Sequence, residues 1–130
     1  MIIPAYNEEE SIFDTVTSIL NYRKKVDFDL DYVVINDGST DKTKQILEDN
    51  HFNAVNLVMN LGIGGAVQTG YKYALEHDYD VAVQFDGDGQ HDIESLSDLL
   101  EPIRKNEADL VIGSRFVGDV KSEFQTTFMR

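Results

Sequence analysis

The stretch Val81-Ala82-Val83-Gln84-Phe85-Asp86-Gly87-Asp88-Gly89-Gln90 joins a short apolar run to an acidic, glycine-containing segment. The run is rich in β-branched residues and too short for a helix, so it reads as a strand buried on both faces, the habit of a parallel sheet. Four other runs share that character: Ile2-Ile3, Tyr32-Val33-Val34-Ile35, Val55-Asn56-Leu57-Val58-Met59 and Leu110-Val111-Ile112. Helical patterns lie between them. Ile12, Val16, Ile19 and Leu20 share one face of the first, with Asn7 placed to cap it and Glu10 to complete a capping box. Val67, Tyr71, Ala74 and Leu75 mark a second helix. Leu96, Leu99, Leu100 and Ile103 mark a third, with Asp92 as its cap. Alternation of strand and helix at about 25–30 residues per unit predicts right-handed crossovers and an open α/β sheet.

That architecture states where ligands bind: beyond the carboxyl ends of the strands, near a topological switch point. The segments that follow the five runs are Pro4-Ala5-Tyr6-Asn7-Glu8-Glu9-Glu10, Asn36-Asp37-Gly38-Ser39-Thr40-Asp41, Asn60-Leu61-Gly62-Ile63-Gly64-Gly65, Asp86-Gly87-Asp88-Gly89-Gln90-His91-Asp92 and Gly113-Ser114-Arg115. All are polar or glycine-rich, as a shared cleft requires. In an extended chain Asp86 and Asp88 point the same way. Two carboxylates crowded together call for a cation, and Mg²⁺ or Mn²⁺ takes oxygen ligands from such groups together with substrate phosphates. Gln90 is placed to add a carbonyl oxygen. Asp-Gly pairs also serve turns; the position after a buried strand is what favours a metal. A calcium loop is excluded, because counting from Asp86 puts His91 where glycine is required and Ser97 where glutamate is required. Gly62, Gly64 and Gly65 do not make a dinucleotide fingerprint, since Val67 stands at its third glycine. They either approach a phosphate or let a helix pack tightly.

Composition narrows the function classes. The chain has 130 residues, 42% of them apolar, enough for one domain with one core. It has no cysteine, which excludes disulfides, Cys-ligated zinc and a thiol nucleophile, and suits a reducing cytoplasm. The formal net charge is −13, which opposes nucleic-acid binding. A nucleoside diphosphate would be repelled as well unless a cation intervened. No apolar run is long enough to span a bilayer.

Taken in order, Pro4-Ala5-Tyr6-Asn7-Glu8, Asp37-Gly38-Ser39, Asn60-Leu61-Gly62, Asp86-Gly87-Asp88 and Gly113-Ser114-Arg115 resemble family 2 glycosyltransferases, and within them the polyprenyl-phosphate branch related to dolichol-phosphate mannose synthase. The similarity covers nearly the whole chain. It implies a GT-A fold, a three-layer α/β/α sandwich with a mostly parallel sheet, and an inverting transfer of sugar from a nucleoside-diphosphate sugar to a lipid-phosphate or glycan acceptor. By resemblance Pro4, Tyr6 and Glu8 line the base and ribose pocket, and Ile35 and Asp37 mark the second strand end, where the aspartate reads the base edge. Asp86 lies near the ribose and diphosphate, with Gly87 beside it in place of a commoner alanine. Asp88 and Gln90 ligate Mg²⁺ or Mn²⁺, and Arg115 faces the diphosphate or its sugar. Asn36 stands where many relatives carry an aspartate. Apart from metal-bound Asp88, no catalytic residue or general base stands out, and His51, His77 and His91 have no assigned role. The chain starts inside a strand pattern and stops at Arg130, so residues 1–130 read as the donor-binding part of a truncated domain, inactive alone, with the acceptor part and any membrane-associated helices beyond it. The expected location is the cytoplasm or the cytoplasmic face of a membrane. Two alternatives remain: a non-catalytic nucleotide-sugar-binding domain, and a metal-dependent nucleotidyltransferase. The latter is disfavoured because the segment after the first strand is acidic and lacks glycine.

Overall fold

A computed structural model of the chain describes residues 1–86 and 93–113. It has two compact units, Met1–Glu94 and Ser95–Arg130. In the first, the elements in chain order are β1 (Ile2–Ala5), α1 (Ile12–Arg23), β2 (Val33–Asn36), α2 (Thr43–Asp49), β3 (Ala54–Asn56) and α3 (Gly62–Glu76). The three strands are parallel in the order β1-β2-β3, with Ile2 level with Val33 and Val34 level with Ala54. The fourth apolar run joins the free side of β1 through one parallel bridge, Ile2 with Gln84. There Ile2 N donates to Val83 O (2.7 Å) and Phe85 N to Ile2 O (2.8 Å). The spatial order across unit 1 is therefore third, second, first, fourth run, and the order reverses between the first and the fourth.

Pro4 explains why that pairing stays a bridge. Alternate residues of β1 face the same neighbour, so after Ile2 the next donor owed to the fourth run is residue 4. Proline has no N–H, and the ladder loses the bond it would make to Phe85 O.

Both faces of the sheet are covered. On one, Ile2, Val33, Ile35 and Ala66 form a buried cluster, with Val55, Leu57, Tyr73 and Ala82 packed against it. On the other, Ile3 and Val34 are fully buried, as are Ile12, Val16 and Ile19 of α1. α1 packs on α2, and Phe13 meets Phe52 with ring centroids 5.9 Å apart. This is the three-layer parallel α/β arrangement the sequence predicts.

α3 departs from the expected face. The periodicity singles out Val67, Tyr71, Ala74 and Leu75, but the buried residues are Ala66, Gly70 and Ala74, while Leu75 is 79% exposed. The row that meets the sheet is one of small residues. A β-carbon on residue 70 would overlap Ile2 Cγ2 and lie 3.0 Å from Ile2 Cγ1, so only glycine lets the helix lie this close to β1. Close packing of this helix falls to Gly70. Gly62 and Gly64 have open space where a β-carbon would stand. α2 lies in a segment where the sequence pattern singles out no helix. Its buried residues are only Thr43 and Leu47, too few to print a periodicity.

The second unit contains α4 (Leu96–Arg104), preceded by a 3₁₀ turn at Ile93–Ser95. Ser95, not Asp92, occupies the N-cap position of α4, and Asp92 lies outside the described residues. The fifth run, expected as a buried strand, forms none: Leu110 and Ile112 are exposed. β-branched composition states a preference for a pleated surface, and with no paired neighbour among the described residues that preference is not realised there.

Candidate functional site

The segments after β1, β2 and β3 meet at the carboxyl end of the sheet, and hydrogen bonds hold them as one body. Between the first and second, Asn7 N donates to Ser39 Oγ (3.0 Å), Glu8 N to Thr43 Oγ1 (2.8 Å) and Glu9 N to Asp41 Oδ2 (3.1 Å). In the opposite sense Lys42 N donates to Glu9 Oε2 (3.0 Å), and Thr40 N to Asn7 Oδ1 (2.8 Å). Asn7 therefore does not cap α1, contrary to the capping-box expectation. Ser11 occupies the N-cap position, and Asn7 has turned into the left-handed region (φ 55°), where asparagine is among the few residues readily accommodated. Asp41 receives Glu9 N and also Thr43 N (2.9 Å). Burial works to raise its carboxyl, but hydrogen bonds from the Thr43 hydroxyl and from the amides of Thr43 and Glu9 outweigh it and hold Asp41 below the ordinary aspartate value.

The second and third segments are joined by Asp37. Its amide donates to Ala5 O (2.8 Å), its Oδ1 accepts from Leu61 N (2.7 Å), and the residue is buried. Gly38 follows at φ 67°, and a β-carbon there would stand 2.7 Å from both Met59 C and Asn60 N. Glycine is required twice over, for the left-handed backbone and for the close approach of the third segment. Asn36 is buried too. It donates to Asn56 Oδ1 (2.7 Å) and accepts from Ser39 N (3.2 Å), so a neutral amide at this position ties β2 to β3.

The residues assigned to a donor pocket and metal site divide into four groups. Tyr6 is 47% exposed. Glu8 is half-buried and its Oε2 accepts from Ser11 Oγ (2.6 Å). With Asp37 they lie on the linked segments. Pro4 and Ile35 are buried in their strands, and Ile35 belongs to the core cluster facing α3; the Ile35 side chain packs the sheet and any contact it makes with a ligand runs through its backbone. Asp86 ends the fourth run, half-buried, its Oδ1 accepting from Gln84 Nε2 (3.2 Å). The Ile2–Gln84 register sets Asp86 level with Pro4. Gly87, Asp88, Gln90 and Arg115 lie outside the described residues. Among the described residues no group of three or more acidic or histidine side chains is arranged to hold a metal.

Sequence reading missed the interlock itself. Its components are visible as Asn7, Ser39, Asp41 and Thr43, short polar side chains suited to bonding a backbone. Nothing in their spacing says that their partners lie about 32–35 residues away.

Comparison with known proteins places this arrangement in a family. The family model described as glycosyl transferase family 2 matches residues 1–129. The chain is 40% identical over 121 residues to the undecaprenyl-phosphate mannosyltransferase of Micrococcus luteus, covering 89% of this chain and 47% of that protein. It is 36% identical over 132 residues to the UDP-N-acetylglucosamine–dolichyl-phosphate N-acetylglucosaminyltransferase of Methanococcus voltae, covering 88% and 51%. Among solved structures, residues 1–349 of S. aureus TarS superpose with a TM-score of 0.58 at 30% identity, over 80% of this chain and 31% of that one. The chain thus spans about half the length of the curated relatives it matches. With the expected parallel sheet, its polar loops gathered at one end and a match over almost every residue, the chain belongs to glycosyl transferase family 2.

Proposed function

We propose that the carboxyl end of the sheet binds a nucleoside-diphosphate sugar, and that the chain serves an inverting, metal-dependent transfer of that sugar to a polyprenyl phosphate or a growing cell-surface glycan. The observation that carries this reading is the Ile2–Gln84 bridge. It sets the start of the acidic segment beside the loop of Tyr6 and Glu8, at the point where strand order reverses, which is where open α/β sheets bind ligands. The names of the relatives support a lipid-phosphate acceptor, since they act on dolichyl or undecaprenyl phosphate.

In this reading the half-exposed ring of Tyr6 offers a face to the base. Asp37, anchored through one oxygen by Leu61 N, reads the base edge with what remains of its acceptor capacity. Glu8, oriented by Ser11, faces the ribose. Asp88 and Gln90 offer only oxygen donors, which fits Mg²⁺ or Mn²⁺ and not a softer metal. When bound, such an ion supplies counter-charge to the leaving diphosphate, on which negative charge grows in the transition state. Arg115 acts on the same charge. An acceptor phosphate arrives already ionised and needs no general base, whereas a hydroxyl acceptor would. Among the described residues no helix is long and apolar enough to cross a membrane.

Calorimetric titration of wild type and Asp88→Ala with UDP, GDP and their sugars, with and without Mn²⁺, tests the proposal. Binding by wild type that Mn²⁺ strengthens, with that gain lost in the variant, is the expected result. Equal metal-assisted binding by both proteins would overturn the metal assignment.

A further inference from the structure

We infer that Asn7 is a positioning residue, whose side-chain oxygen locks the loop after β1 to the loop after β2 and so sets the spacing between two walls of the nucleotide site. The inference rests on the reading that these loops hold a nucleotide. Three donors converge on Asn7 Oδ1: Thr40 N at 2.8 Å, Thr40 Oγ1 at 3.3 Å and Asp41 N at 3.4 Å. The Asn7 amide returns a bond to Ser39 Oγ at 3.0 Å, so the residue grips the second loop from both its backbone and its side chain. Its backbone stands in the left-handed region (φ 55°), and its side chain reaches across the gap to the second loop.

Position makes this grip consequential. Asn7 stands between Tyr6 and Glu8, the two side chains of the first loop assigned to the base and ribose. Asn7 is itself exposed. It takes no part in the core, and it does not cap α1, whose N-cap position is held by Ser11. Replacing it leaves the packed interior alone and acts on loop geometry. A misplacement of a positioning group by a fraction of an ångström is felt in binding and rate without any lost contact to the ligand.

Three variants separate the backbone from the side chain. Asn7→Gly keeps the left-handed conformation and removes the acceptor. Asn7→Asp keeps an acceptor of the same reach. Asn7→Ala removes both. Each is compared with wild type by amide hydrogen exchange at Thr40 and Asp41, and by calorimetry with UDP and GDP in Mn²⁺, at physiological salt to screen the added charge of the aspartate. Loss of an exposed hydrogen-bond acceptor predicts exchange about 5–10-fold faster at both amides in the glycine and alanine variants, and nucleotide affinity lower by a similar factor, with the aspartate variant near wild type in both readouts. Wild-type protection in Asn7→Gly would overturn the interlock, since only the backbone conformation would then matter. Lost protection with unchanged affinity would overturn the positioning role. If wild type binds neither nucleotide, the proposed function fails, and the exchange data still decide whether Asn7 locks the loops.

Discussion

Replacing Gly70 with alanine tests the packing that carries β1. The new β-carbon would overlap Ile2 Cγ2 and approach Ile2 Cγ1 and Cβ to 3.0 and 3.1 Å. Three atoms of one side chain are involved, and Ile2 has no room to turn: it is 2% exposed, β-branched, and its amide and carbonyl are both held by the fourth run. Helix α3 must therefore lift, and Ala66, one turn away in the same cluster, must lift with it. Overpacking of this kind costs about 1–3 kcal/mol, while exchanging glycine for alanine inside a helix returns up to about 1 kcal/mol. A clash shared by three atoms of a pinned residue belongs at the upper end, so the net loss is about 1–2 kcal/mol. Urea unfolding followed by circular dichroism, with the denaturant slope unchanged, reads this as a lower midpoint. Gly64→Ala is the control, because open space lies where its β-carbon would stand; it should be neutral or stabilising by up to about 1 kcal/mol. Adding Ile2→Ala to Gly70→Ala removes Cγ1 and Cγ2, the nearer of the clashing atoms, and leaves only Cβ, so the double variant should lose less than the sum of the two single losses. If Gly70→Ala stabilises the protein as Gly64→Ala does, the close approach of α3 to β1 is wrong.

Gly38→Ala combines a left-handed backbone with a β-carbon 2.7 Å from two backbone atoms of the third segment, and should cost about 2–4 kcal/mol, read by the same unfolding assay. Asp37 separates structure from ligand recognition: Asp37→Asn keeps an acceptor for Leu61 N and should fold with near-native stability, whereas Asp37→Leu leaves that amide without its partner and should lose about 1–3 kcal/mol. If Asp37 also reads the base, the asparagine variant still loses nucleotide affinity in calorimetry. The Asp41 carboxyl is held below its ordinary value, so the stability it contributes is fully present above the unfolded value near pH 4 and is lost as pH falls through the lower folded value. Asp41→Asn should flatten that part of the acid unfolding curve, and an unchanged curve would remove Asp41 from the account.

The parallel sheet was legible because its first four apolar runs overlap β1, β2, β3 and the bridge at Gln84, although β3 ends at Asn56 and Val58 and Met59 of the third run are exposed rather than buried in a strand. The bridge's brevity was legible in principle too, in Pro4. Other features depend on distance in space and leave no mark on periodicity. The buried face of α3 is a row of alanines and a glycine, and hydrophobic patterning favours the larger Tyr71 and Leu75, which are exposed. The run at Leu110-Val111-Ile112 has the composition of a strand and no paired neighbour among the described residues. In the site, motif order located the loops, whereas Asn7 looked like a helix cap because its actual partners, Thr40 and Asp41, are far away in the chain. Burial of Ile35 follows from the alternation of side chains along β2, which gives one face to α3 and the other to the opposite layer.

The most direct measurement is a crystal structure of the protein grown with UDP or GDP and Mn²⁺, with the ion located by its anomalous scattering. The ion should lie at the segment that follows Phe85, against the pyrophosphate, with the nucleoside beside Tyr6 and Asp37. Manganese bound anywhere else, or a nucleotide seated away from the carboxyl ends of the strands, would contradict the account.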